Sequence, residues 1–302
     1  MPGYPESRIS VTLRVMRHLL ILLALTCPVT ADEPPRPFAA FDLASDAVLA
    51  DPHDLAIGPD GRLYVADKFG ARIAVFDPET LQLIEMLGEG FLPGVHDISF
   101  GPDGSVAVAV TSAGAVAVYE SLDVLADPPD IGVSSPRTEG ALLHSNGDLY
   151  AMASGLGALV RFRDLKPLAG VEGHLGAHDV AEAPDGSIWV ADTRGRRLVQ
   201  YSPDLDRMQV IDHAKFGFLG PRYMDFTAFG HLVVADQDAH RILMIDPSGP
   251  EGGTLLGVLG DGMPGLGPGK FDDPEGVAVD GNRYFFSDSD NNRIVRYSVV
   301  LN

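Results

Sequence analysis

The sequence predicts an all-β fold, a six-bladed β-propeller with four-stranded blades, and three observations carry that prediction. A unit of strand, tight polar turn, strand, outer turn and strand recurs six times along the chain. The aligned turn residues Gly61, Gly104, Gly147, Gly186, Gly230 and Asn282 stand 43, 43, 39, 44 and 52 residues apart, the spacing of propeller blades. No convincing long helical pattern interrupts the repeats.

The six units cover 53–76, 96–119, 139–162, 178–201, 222–245 and 275–297, and each supplies three strands. Segments such as 81–87 provide a fourth strand between units. Only residues 299–302 follow the third strand of the last unit, so its fourth strand must come from elsewhere. The spare apolar segment 38–43 is predicted to complete that blade and close the ring. An open ring would leave two unpaired strand edges, the groups most prone to aggregation.

Composition narrows the function classes. The single Cys27 excludes a disulfide framework and a Cys-based zinc module, both of which need several thiols. A net charge of −20 argues against nucleic-acid binding, because such a surface repels phosphate. Met16-Arg17-His18, the apolar run 19–25 and Val29-Thr30-Ala31 form a signal-peptide pattern cleavable after Ala31. The expected organisation is therefore a signal peptide over 1–31, of which 1–15 is an upstream extension if translation starts at Met16, and one propeller domain over 32–302. The apolar run is too short to span a bilayer. The mature protein is expected to be periplasmic or secreted, without a membrane span, and monomeric.

Val65-Ala66-Asp67 with Arg72-Ile73, Val190-Ala191-Asp192 with Arg197-Leu198, and Val234-Ala235-Asp236 with Arg241-Ile242 resemble the NHL repeat. So does Pro274-Glu275-Gly276-Val277-Ala278-Val279 with 288–294. The resemblance covers roughly 50–298 and implies a six-bladed propeller. The second and third units depart from it, with Val110 and Ala153 in place of the Asp and Ala115 and Ala158 in place of the Arg. Their outer turns must be held in another way.

In a propeller the first strand of each blade lines the central channel. The residue just before that strand is expected at the channel mouth, which gives His53, His96, Glu139, His178, Arg222 and Glu275. Blades two, four and six alternate around the ring. Their His96, His178 and Glu275 could share Zn2+ or another divalent metal with open positions left for water or substrate. His53, Glu139 and Arg222 would then bind or orient a ligand. The alternative is a polar channel lining, because a His followed by Asp at a strand start can simply hydrogen-bond a neighbouring loop. Peptidyl-hydroxyglycine amidating lyases are similar NHL-type propellers, and the resemblance implies zinc held by one His from each of three alternate blades. His96 and His178 match two of those positions, Glu275 stands at the third, and Ala153-Ser154-Gly155-Leu156 occupies the place of that family's catalytic Tyr.

Other motifs fall away. The glycine-rich run 260–270 carries Pro264 and is followed by Phe271 where a phosphate loop needs Gly and Ser or Thr, so no nucleotide cofactor is expected. Asp288, Asp290 and Asn292 alternate like a calcium loop, but Arg293 replaces the required Gly. No Ser on a sharp strand-to-helix turn supports a Ser/His/Asp triad, and no catalytic residue is singled out. The sequence thus leaves three readings. The first is an exported propeller binding a small molecule, peptide or protein at its channel mouth. The second is a metal-dependent lyase or hydrolase on His96, His178 and Glu275, and the third is a scaffold that binds partners through its rim.

Overall fold

A computed structural model describes residues 36–299 apart from 130 and 251, and the predicted signal peptide lies outside the described residues. The chain forms six antiparallel sheets of four strands each, as the repeats require. Blade one runs from Pro52–Ile57 through Leu63–Asp67 and Arg72–Phe76 to Leu83–Leu87. Blades two to five repeat this order, and the longest α-helix among the described residues is the single turn His213–Phe216.

The second strand of every blade is sandwiched between two neighbouring blades. Leu63–Asp67, Val106–Val110, Leu149–Ala153, Ile188–Asp192 and Leu232–Asp236 are buried at every position. Alternate side chains leave a strand on opposite faces, so each strand feeds two separate cores. Tyr64 and Ala66 pack towards blade two, whereas Leu63 and Val65 pack towards blade six. The result is six apolar clusters, one in each interface between neighbouring blades.

Blade six is closed by the N-terminal segment. Its strands Pro274–Asp280, Arg283–Asp288 and Arg293–Ser298 are completed by Ala40–Ala44, which pairs antiparallel with the last of them. The closing strand begins two residues later than the expected 38–43. Phe38 turns instead to pack edge-on against Tyr284, and Ala39 is buried beside it in the interface with blade five. Asp42 accepts from Arg296 Nε at 2.7 Å across the join.

The NHL-type Asp and Arg hold the outer turns in four blades. Arg72, Arg197, Arg241 and Arg293 each donate Nε to Asp67, Asp192, Asp236 or Asp288 of the same blade at 2.7–2.9 Å. The second oxygen of Asp67 accepts from Ala50 N, that of Asp236 from Leu219 N and Gly220 N, and that of Asp288 from Asp272 N. Each carboxylate thereby ties the incoming loop to the outer turn. Blades two and three, which lack the pair, join the incoming loop to the outer turn through the backbone: Thr111 N donates to Gly94 O and Gly155 N to Pro136 O.

Candidate functional site

The six expected mouth residues do gather at one end of the channel, though not in the position anticipated within their blades. In five blades the residue lies inside the first strand rather than before it, and the register slips just there. The shifts fall between Pro52 and Leu55, Val95 and Asp97, Thr138 and Gly140, Pro221 and Met224, and Pro274 and Val277. A bulge of this kind re-aims a side chain, which is what turns His53, His96, Glu139, Arg222 and Glu275 into the mouth. In blade four the strand starts at Asp179, and His178 is held just ahead of it by its N–H to Ala191 O.

A hydroxyl latch, not foreseen from the sequence, locks neighbouring blades at this level. Thr111, Ser154, Thr193 and Ser289, each immediately after the second strand, donate to Thr138 O, Ala177 O, Pro221 O and Pro52 O. Every receiving carbonyl belongs to the residue before a mouth residue of the next blade. Thr193 spends its proton on Pro221 O at 2.7 Å, so it must accept from His178 Nδ1–H at 2.8 Å. His178 Nε2 lies 2.5 Å from Glu139 Oε2, which needs a further proton between them. Burial and the nearby Arg222 act to take that proton off His178. Burial also acts to raise the Glu139 carboxyl, but His178, His96 and Arg222 outweigh it and bring it down to about 2. The geometry favours an imidazolium–carboxylate pair.

His96 is fixed differently. Its Nδ1 also meets a latch hydroxyl, Thr111 Oγ1 at 2.7 Å, but it shares its proton with Gly94 O at 2.8 Å; both can only accept here, so Nδ1 carries the proton and Nε2, with no acid against it, presents a lone pair. Burial, with His53 close by, brings its pKa down to about 3. His53 is wholly buried, with Nδ1 2.7 Å from Glu275 Oε2 and Nε2 3.4 Å from Asp51 Oδ2. Burial alone would lower the His53 pKa, but those two carboxylates raise it. Glu275 also accepts from Gln237 Nε2 at 2.9 Å and from Arg222 Nε at 3.3 Å, and its own pKa is held at about 2 despite burial.

The alternate-blade metal set is therefore divided between two pairs: His178 is bound to Glu139, and Glu275 to His53. Only His96 offers a free nitrogen. Among the described residues, the one group of three His, Cys, Asp or Glu whose donor atoms all lie within 4.8 Å of one another is Asp51, His53 and Glu275. The residues present do not fit a zinc ion shared by His96, His178 and Glu275.

Tyr223, also missed in the sequence, floors the mouth. It is buried in the channel, and its hydroxyl reaches His96 O at 3.1 Å and Glu139 O at 3.3 Å from the opposite side of the ring. At the same place other blades carry Asp54, Asp97 and Asp179, or Gly140 and Gly276. Glycine is required there, because a Cβ on Gly276 would stand 2.3 Å from His53 O and one on Gly140 2.5 Å from His178 O. Burial, reinforced by repulsion from Asp97, raises Asp54 and Asp179 well above the carboxylate range, and burial takes Asp97 to about 7. Proton-holding acids thus lie beneath the mouth. Asp97 and Asp179 accept from Ala141 N and Met224 N of the following blade.

Two adjoining cavities open above Tyr223. One, of 550 Å³, is lined by Lys68, Arg137 and Arg222 together with His96, His178 and Glu139. The other, of 420 Å³, shares Lys68, Phe69 and Arg222 with it and adds Asp51, Asp273, Glu275 and Asp290. Arg222 is mostly buried, with 15% of its side chain exposed. Its sole hydrogen bond among the described residues is the 3.3 Å contact from Nε, so both terminal nitrogens lack hydrogen-bond partners there, and Arg222 lines both cavities. Phe69, on the wall between the cavities, is 73% exposed.

The NHL repeat model matches residues 49–76, which is blade one with its incoming loop. No curated protein matches the sequence significantly. Solved structures with the same fold include virginiamycin B lyase from Staphylococcus aureus, at 13% identity and a TM-score of 0.59, covering 83% of this chain and 96% of that one. An auxiliary nutrient binding protein from Bacteroides thetaiotaomicron superposes with a TM-score of 0.64 at 16% identity, covering 87% of this chain and 75% of its own. Hydrazine synthase of Kuenenia stuttgartiensis gives a TM-score of 0.60 at 12% identity, covering 84% and 97%. At these identities the likeness is one of fold.

Proposed function

We propose that this chain is an exported binding protein that captures a carboxylate-bearing small molecule or peptide end at its channel mouth, with Arg222 as the anchor. The observation that supports this reading is the open guanidinium fork: a mostly buried arginine whose terminal nitrogens have no partner in a cavity. A planar carboxylate meets such a fork with two parallel hydrogen bonds. Charge points the same way. In a chain with 42 acids against 22 bases, the larger cavity gathers Lys68, Arg137 and Arg222 around one carboxylate, Glu139, which His178 already neutralises. Glu139 and Glu275 close by disfavour a dianion such as phosphate and leave a monoanion as the better fit. Export rests on the leader pattern ending at Ala31.

His96 supports ligand binding more than catalysis. Its Nε2 lone pair is unprotonated at neutral pH, but a pKa of about 3 makes it a hydrogen-bond acceptor and a feeble base. Calorimetric titration of the mature protein with a panel of monocarboxylates, their amides and inorganic phosphate tests the reading. Carboxylates should bind, their neutral amides should not, and Arg222→Gln should weaken binding by at least about tenfold, the loss of a charge-assisted pair. Equal binding of acid and amide, or an Arg222→Gln variant that is folded and binds normally, would overturn it.

A further inference from the structure

We infer that Asp51, His53 and Glu275 form a seat for one divalent transition-metal ion, placed between blades one and six rather than on alternate blades. Their donor atoms already lie within 4.8 Å of one another. Ligand atoms around a tetrahedral zinc, bound at about 2.0–2.2 Å, stand roughly 3.4 Å apart. His53 Nε2 and Asp51 Oδ2 are separated by 3.4 Å.

A second observation is independent of the acids. His53 is entirely buried, and neither of its ring nitrogens makes an aligned hydrogen bond, close as each is to a carboxylate oxygen. A buried imidazole whose nitrogens face carboxylates without an aligned hydrogen bond is poorly satisfied, and an ion bound at one nitrogen would relieve part of that cost. One nitrogen with two carboxylates suits Zn2+ or a neighbouring first-row ion better than Ca2+ or Mg2+, which take oxygen ligands alone.

The surroundings are arranged as outer support. Lys68 Nζ holds Asp51 Oδ2 at 2.9 Å, while Gln237 Nε2 holds Glu275 Oε1 and Arg222 Nε approaches Oε2. Contacts of this kind orient ligating carboxylates. Beside the seat, the 420 Å³ cavity lined by Ser289, Asp290 and Asn292 leaves room for water in the remaining coordination positions. The ion replaces the His53 proton, which leaves to solvent, so two carboxylates and a neutral imidazole balance a 2+ charge.

The test is calorimetric titration of untagged, chelator-treated protein with ZnCl2, in a buffer free of carboxylates so that occupancy of the Arg222 fork plays no part. One ion per chain is expected. Asp51→Asn, at a partly exposed position with φ of 60° that Asn tolerates, should weaken zinc by at least about tenfold while the fold is retained. His178→Gln should bind zinc as the wild type does. If Asp51→Asn fails to fold, Glu275→Gln replaces it, and the visible bands of bound Co2+ report the same loss. No stoichiometric zinc, an Asp51→Asn or Glu275→Gln variant that binds normally, or a loss seen in His178→Gln instead, would overturn the assignment.

Discussion

Thr193→Val separates the latch from mere packing. Valine has nearly the shape of threonine, so the substitution removes the hydroxyl and little else. Two bonds go with it: Thr193 Oγ1 to Pro221 O at 2.7 Å and His178 Nδ1 to Thr193 Oγ1 at 2.8 Å. Pro221 and His178 are both buried, which leaves a carbonyl and an imidazole N–H without partners. Each such group costs roughly 1–3 kcal/mol, for a total of about 2–5 kcal/mol after allowing for partial relaxation. In a domain of this size 1 kcal/mol moves the melting temperature by about 2–4 °C, so a fall of about 4–20 °C is expected. Differential scanning calorimetry measures it, with Thr193→Ser as the control that keeps the hydroxyl. If the valine variant melts within about 1 °C of the serine variant, the latch contributes nothing and the reasoning fails.

Two further outcomes follow from buried polar groups. Asp97 has its folded pKa raised from 3.8 to about 7, so the folded state keeps a proton that the unfolded chain has lost. Stability should therefore fall as pH rises from about 4 to about 7. Asp97→Asn, neutral throughout, should gain on the wild type across that window by up to about 4 kcal/mol, measured by urea denaturation at several pH values. A constant difference between the two would refute the assignment. Tyr119 and Tyr201 occupy the same place in their blades, but Tyr201 meets His174 Nε2 at 2.7 Å whereas the buried Tyr119 hydroxyl meets nothing. Tyr119→Phe should be neutral or stabilising and Tyr201→Phe should cost about 1 kcal/mol, and the reverse order in a denaturation series would contradict this.

The repeats made the architecture legible, since one strand–turn–strand unit cannot bury both its faces and must find like neighbours. Even the closing strand could be anticipated, because the last unit lacked a partner for its outer edge. The mouth residues stand out in the sequence because their position varies where the structural positions repeat. Their grouping was not legible. Alternate-blade geometry treats each side chain as a spoke of equal length, but the mouth residues pair with those of adjacent blades, so His178 meets Glu139 and Glu275 meets His53. Asp51 escaped notice because it lies in the incoming loop, two residues ahead of the aligned position. The latch did leave a signal, a hydroxyl directly after the second strand in four of the six units, although its role appears only when the next blade's carbonyl is in view.

The closure of blade six also sets a timetable for biosynthesis. The strand Ala40–Ala44 is made first and its partner Arg293–Ser298 last, so roughly 250 residues must be synthesised before the two can meet. At about 5–20 residues per second the ribosome keeps the early strand waiting for tens of seconds without its edge partner. Blades can assemble in order during that interval, but the ring cannot become a ring until the end of the chain arrives. A stalled or truncated product would therefore leave Ala40–Ala44 without its partner strand and be marked for aggregation or proteolysis, whereas the finished chain pairs it with Arg293–Ser298.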